Sequence, residues 1–341
     1  MPSLLNRTEL DEVVTITPTI DPVEGAVVVV EVLSTVNKVS QIEDTTGNIS
    51  GLVEGEVIPA VLGIRRGSQS FSCDIPSSLS QGDVLSYVCR SGIVGVAQVF
   101  PTDILVPAQV RVLGSVQTAD TPLNIKRSGI PRRQSLTQSA PIVVVAGTAS
   151  NTGKTTTARK IMQHLKSRGL RVAGAKLSGV AFLGELRTLS TAGPEMILGL
   201  ADGGLPTTCN DPTEVLEVSL GILHELNKVS PDVIVVEFGS CLLGFYNVLP
   251  VLDSLHFRQH VASIVLTASD TVAAWGVKHI MREKKLDTTL ITGPVVNNVS
   301  YVDYIEGELQ LPAESNSGPM PKMCRLIDMR LDEFGSCRQK R

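Results

Sequence analysis

The sequence lacks an apolar run approaching the ~20 residues that span a bilayer. Its longest apolar stretches, around 27–30 and 142–146, are strand-sized. It also lacks a basic excess: 30 Lys and Arg against 34 Asp and Glu give a net charge of −4. A general nucleic-acid binder usually carries the opposite balance, so neither a nucleic acid nor a membrane is expected as a partner. Paired cysteines are missing too. The six, at 73, 89, 209, 241, 324 and 337, form no Cys-x-x-Cys, which reads as reduced thiols in a cytoplasmic protein rather than a disulfide framework or zinc site. The start, Met1-Pro2-Ser3-Leu4-Leu5-Asn6-Arg7, has no basic segment followed by a sustained apolar one, so no signal peptide is expected. What remains is 341 residues, 43% hydrophobic and 19% charged, enough for a sizeable core and most naturally for two domains.

Two halves differ in rhythm. From 25 to 116, short β-branched runs are cut by turn residues such as Gly47-Asn48 and Glu54-Gly55, which predicts a small β-rich barrel or sandwich over 1–117. Residues 118–140 are poor in apolar groups and rich in Pro, Gly and Ser, and read as an exposed linker. Their basic cluster, Lys126-Arg127 and Arg132-Arg133, reads as solvated. From 141 to 315 the pattern alternates. Strands are expected at 142–146, 170–175, 233–238, 261–267 and 288–292, and helices at 154–168, 185–200, 214–227 and 271–285. Uninterrupted apolar strands between amphipathic helices mean an α/β domain with a mostly parallel sheet covered on both faces. Beyond 315 the periodicity fades into a C-terminal tail, 316–341, with at most one short helix.

The densest chemical signal runs from Ile142 to Thr157. An apolar strand leads through Gly147-Thr148-Ala149-Ser150-Asn151-Thr152 into Gly153-Lys154-Thr155-Thr156 and a helix-forming run. Successive backbone N–H groups and a helix N-terminus suit a polyphosphate, so this is the layout of a phosphate-binding loop (P-loop). Lys154 would reach the terminal phosphates and the Thr155 hydroxyl would meet Mg²⁺. The general signature places four residues between its glycine and Gly-Lys; five lie between Gly147 and Gly153 here. Three further residues fall at expected strand ends, where ligands of open α/β sheets bind. Glu237 could hold Mg²⁺, Lys176 could neutralise a phosphoryl group or a carboxylate, and Asn297 could read a nucleobase edge. Each also has an ordinary structural reading, as a solvated strand end, a surface lysine and a turn residue. His256 and His260, four apart, have metal-seating spacing but no third ligand, and read as structural.

This loop resembles that of the dethiobiotin synthetases, which share its Gly-Thr start and its spacing. Ala175-Lys176, Val235-Val236-Glu237 and Val296-Asn297 are similar to that family's strand ends. The resemblance covers about residues 141–315. It implies a P-loop NTPase-type domain in which Gly147, Thr148, Asn151, Thr152, Gly153, Lys154, Thr155, Thr156 and Asn297 bind nucleotide. Thr155 and Glu237 would hold Mg²⁺, while Lys154, Lys176 and Glu237 carry the chemistry. It further implies ATP as cofactor, a small-molecule substrate, a ligase- or synthetase-type reaction and a homodimer. Two positions depart from the family: Ala149 replaces a metal-assisting Asp, and Phe238-Gly239-Ser240-Cys241 replaces a glycine-rich stretch. The chain also resembles two-domain proteins with such a loop behind a β-rich domain, some associated with acyl transfer to acidic amino acids. Three functions therefore stand: an ATP- and Mg²⁺-dependent enzyme activating a carboxylate or carbamate, an acyltransferase cradling the diphosphate of acetyl-coenzyme A, and a non-enzymatic nucleotide switch. The absence of Asn-Lys-x-Asp weighs against a GTPase.

Overall fold

The computed structural model describes all residues apart from 9, 11–13, 36–39, 68–70, 99–105, 119, 120, 340 and 341. The chain divides into two units. The first comprises Met1–Pro131, Val180–Gly184 and Gly199–Asn210; the second comprises Arg132–Gly179, Glu185–Leu198 and Asp211–Arg341.

In the first unit, β1 (Val27–Ser34), β2 (Val57–Leu62), β3 (Val84–Cys89), β4 (Ile93–Ala97) and β5 (Ala108–Thr118) form a ring. β1 pairs with β2 and β5, β2 runs parallel to β4, and β3 joins β4 to β5. The sheet thus closes into a five-stranded barrel. Strand side chains alternate between faces, and one set fills the interior: Val28, Val30 and Val32 from β1, with Ile58, Ala60 and Leu62 from β2. Leu85, Tyr87, Val94, Val110 and Val112 complete that core. A small barrel packed with side chains is a solid core rather than a ligand cup. β4 ends at Ala97, and residues 99 and 100 lie outside the described set.

The second unit carries a six-stranded sheet: β6 (Ile142–Gly147), β7 (Val172–Ser178), β8 (Met196–Leu198), β9 (Val233–Phe238), β10 (Val261–Thr267) and β11 (Leu290–Thr292). Its order is β8-β7-β9-β6-β10-β11, parallel throughout. β6 and β9, apolar apart from Glu237 near the end of β9, are buried along their whole lengths, as both faces of a parallel sheet require. α1 (Lys154–Ser167) lays Ala158, Ile161, Met162 and Leu165 onto Val143, Val145 and Val235. α2 (Pro212–Asn227) starts at Asp211, whose side chain accepts from the amides of Thr213 and Glu214, a capping arrangement that satisfies orphan donors. α3 (Thr271–Glu283) is capped the same way by Asp270. Among the described residues no helix is long and apolar enough to cross a membrane.

Four expectations change. The helix expected over 185–200 is a shorter one, Leu183–Ser190, followed by the edge strand β8; Gly193-Pro194 breaks it, since proline disfavours helical backbone before it. The strand expected over 170–175 extends to Ser178, so Lys176 lies inside β7 rather than after it. The expected linker 118–140 holds a short helix, Ile125–Ser128, capped by Asn124, and buries Ile125, Ile130 and Leu136. Finally, the tail forms α4 (Pro321–Gln339), whose Met323 and Ile327 join the core beneath β6.

Candidate functional site: a phosphate-binding loop

The loop leaves β6 at Gly147, where side-chain space is taken. A Cβ there would lie 2.2 Å from Thr267 Oγ1 at the end of β10. Glycine is the residue that permits such close approach. Thr148 N donates to Thr267 O at 2.9 Å, and Leu242 N donates to Gly147 O at 2.7 Å, tying the loop to the end of β10 and to the segment that follows β9. Thr152 Oγ1 lies 2.6 Å from Thr267 Oγ1 and donates to Ala149 O at 2.9 Å. Asn151 (φ 60°) and Gly153 (φ 86°) adopt left-handed backbone, turning the chain so that α1 begins with its first-turn amides unpaired by helix geometry. Asn316 closes the back of the loop, its Nδ2 donating to Gly153 O at 3.3 Å and to Thr157 Oγ1 at 3.1 Å.

Lys154 is buried and folds over its own loop, Nζ donating to Ala149 O at 2.6 Å. Burial pushes its pKa below the usual lysine range, with Glu237 and Cys241 opposing that shift. Thr155 Oγ1 donates to Glu237 Oε1 at 2.8 Å. Glu237 is 2% exposed, and its second oxygen, Oε2, is buried without a hydrogen-bond partner. Leaving such an oxygen unsatisfied is costly. Lys176 sits beside Glu237 in the β7–β9 register and forms an ion pair with Glu185 from Leu183–Ser190. Gly239 permits this lysine to pass, since a Cβ there would come within 2.8 Å of Lys176 Cε and 2.4 Å of Ser178 O. These groups surround a cavity of about 340 Å³ lined by Asn151, Lys154, Thr155, Lys176, Glu185 and Glu237, with Gly153, Thr156 and neighbouring residues.

The donor set fits Mg²⁺. A hydroxyl and a buried carboxylate with a spare oxygen are hard oxygen ligands, the kind this ion takes along with water and phosphate. Among the described residues no group of three or more His, Cys, Asp or Glu could hold a metal alone, so phosphate oxygens and water would complete the shell.

No family model and no curated protein matches the sequence. Solved structures to which this chain shows similarity include chloroplast FtsY from Physcomitrella patens, at 16% identity and a TM-score of 0.38, over 58% of this chain and 67% of that one. The signal recognition particle receptor FtsY from Elizabethkingia anophelis, in complex with GDP, gives 17% and 0.41 over 59% and 67%. The signal recognition particle 54 kDa protein from Aeropyrum pernix K1, also in complex with GDP, gives 14% and 0.40 over 60% and 51%. These are not dethiobiotin synthetases, and likeness at this level assigns neither family nor activity.

The expected residues thus divide. Asn151, Gly153, Lys154, Thr155, Thr156, Lys176 and Glu237 line one cavity; Gly147, Thr148 and Thr152 lie under the loop and shape it. Asn297 is exposed and accepts from Ser315 Oγ at 3.4 Å, outside the lining. Glu185 and Asn316 were not anticipated; neither sits in a local pattern that marks it. His260 is buried with Nε2 3.0 Å from Leu136 O, while His256 is exposed, so the pair is structural. Of the basic cluster, Lys126 pairs with Glu24 and Arg132 with Glu214.

Proposed function

We infer that this chain binds a Mg²⁺–nucleoside triphosphate at the loop and transfers its γ-phosphoryl group to a small carboxylate or carbamate. The observation that carries the reading is the Thr155–Glu237 pair with its unpartnered buried oxygen. A diphosphate held by backbone amides alone, as in a coenzyme A site, gives that acid no work. The metal, when bound, neutralises charge on the β- and γ-phosphates. Loop amides and the Lys154 ammonium hold the phosphates, and Lys154 exchanges Ala149 O for a phosphate oxygen as it does so. Lys176 faces the same cavity and stabilises the equatorial charge that develops on the transferred group. A substrate oxygen bonds to the γ-phosphorus while the bond to the β,γ-bridging oxygen breaks. The nucleoside diphosphate leaves with that electron pair, and an acyl phosphate forms. ATP is the nucleotide implied by the loop's resemblance to dethiobiotin synthetases.

Calorimetry with ATP, GTP and acetyl-coenzyme A, each with and without Mg²⁺, tests this. ATP should bind tightly only with Mg²⁺, and Glu237→Gln, which keeps the shape and removes the charge, should abolish the metal dependence. Metal-independent binding of acetyl-coenzyme A would overturn the reading, and GTP binding without turnover would replace it with a switch.

A further inference from the structure

The phosphate loop is anchored from behind by residues that follow the last strand of the same unit. α1 opens at Lys154 with Gly153 at its N-cap, which has no side chain to bond the first amides. The Gly153 carbonyl instead gathers three donors: Thr157 N at 2.9 Å, Thr157 Oγ1 at 3.0 Å and Asn316 Nδ2 at 3.3 Å. The same Nδ2 donates to Thr157 Oγ1 at 3.1 Å. It also fills the space that a side chain would need, since a Cβ on Gly153 would lie 2.4 Å from it. Asn316 is itself held on two sides. Lys160 Nζ donates to Asn316 O at 2.6 Å and to Gly318 O at 2.7 Å, while Glu314 N donates to Ile291 O of β11 at 3.2 Å. Gly153, Thr157, Lys160, Ile291 and residues 314–318 all belong to the second unit.

We propose that Asn316 is a positioning residue for the phosphate site: by holding the Gly153 carbonyl behind the loop, it aims the Lys154 N–H at the cavity. The two groups belong to one planar trans peptide, in which C=O and N–H point in opposite directions. Fixing the oxygen therefore fixes the amide. That N–H opens a helix and has no intrahelical acceptor, which makes it one of the donors an anion meets at a helix N-terminus. Gly153 has left-handed backbone, φ 86°, and a glycine is the residue freest to leave such a conformation. Removing that freedom before the ligand arrives lowers the ordering cost of binding. The identity of the anion as a nucleotide polyphosphate rests on the proposed function; the orientation of the Gly153–Lys154 peptide does not.

Gly-Lys occurs once in the sequence, at Gly153-Lys154. Labelling glycine carbonyls with ¹³C and lysine amides with ¹⁵N therefore gives a single carbonyl–amide NMR correlation, from this peptide, in the full chain. In the free protein, Asn316→Ala should move the Gly153 carbonyl carbon upfield as that carbonyl loses a donor. It should also weaken Mg²⁺–ATP binding roughly two- to ten-fold, the span of one neutral hydrogen bond. Asn316→Asp, equal in volume but without the amide donor, should do the same and serves if Asn316→Ala fails to fold. Met323→Ala loosens the same C-terminal region through the core and controls for lost stability; it should leave the correlation in place. An unchanged correlation in the folded Asn316 variants, or an equal shift in Met323→Ala, would overturn the proposal. So would a full shift combined with wild-type affinity for Mg²⁺–ATP. In the wild type, Mg²⁺–ATP should move the Lys154 amide proton downfield as it gains an acceptor. Failure of that shift would count against the proposed function alone, because the carbonyl shift in the free variants judges Asn316 without any nucleotide.

Discussion

Lys154 concentrates the electrostatics of the site in one side chain. Burial lowers its pKa, and the pull of Glu237 and Cys241 offsets this only in part. A lysine with a lowered folded pKa holds fewer protons than the unfolded chain between that value and the ordinary 10.5. Stability therefore rises with pH through that window, as the cost of a buried charge disappears. A bound polyphosphate reverses the balance by favouring the ammonium. Nucleotide binding at alkaline pH should accordingly take up protons, and calorimetry in two buffers of different ionisation enthalpy measures it. No buffer dependence would mean that Lys154 does not face the phosphates. Lys154→Ala should eliminate the uptake. It should also weaken binding roughly 10- to 150-fold, the loss of one charge-assisted hydrogen bond of about 1.5–3 kcal/mol.

At the scale of elements, α4 is the piece that the sequence concealed. Its apolar residues, Met323, Ile327 and the partly buried Cys324, Leu326 and Leu331, are interspersed with charges, so the helical stripe is narrow. Met323 and Ile327 are nonetheless fully enclosed against the sheet. Met323→Ala and Ile327→Ala should each cost about 2–5 kcal/mol, readable as a shift in urea midpoint at constant slope; changes under 1 kcal/mol would place α4 off the core. Other elements were plain from the residues alone. The strands 233–238 and 261–267 match β9 and β10 residue for residue, because β-branched runs of that length bounded by turn residues admit little else. β8 was hidden by its three residues and by the helical look of what precedes it. The phosphate loop was legible because its chemistry is local. Glu185 was not, because it meets Lys176 only after the chain has left the sheet and returned as a helix.

For the molecule as a whole, the informative fact is that the first unit is not continuous in sequence. Val180–Gly184 and Gly199–Asn210 belong with Met1–Pro131, and they complete it with specific bonds. Asp202 pairs with Arg7 at 2.9 Å and its carbonyl accepts from Ile130 N at 2.8 Å. Thr207 Oγ1 donates to Ile64 O at 2.7 Å, next to Gly63, where a Cβ would press on Pro206 at 3.2 Å. Leu200, Ala201 and Leu205 are buried. A fragment ending at Pro131 would lack all of these. Each lost partner of a buried polar group costs about 1–3 kcal/mol, and domains of this kind have only about 5–15 kcal/mol in total. The isolated fragment 1–131 should therefore show markedly faster amide exchange in β1 and β2 than the full chain. A synthetic peptide covering residues 180–210 should restore part of the protection, because the bonds named above come from that stretch. Equal protection in fragment and full chain would show that the barrel core suffices by itself and that the two inserted segments merely rest on it.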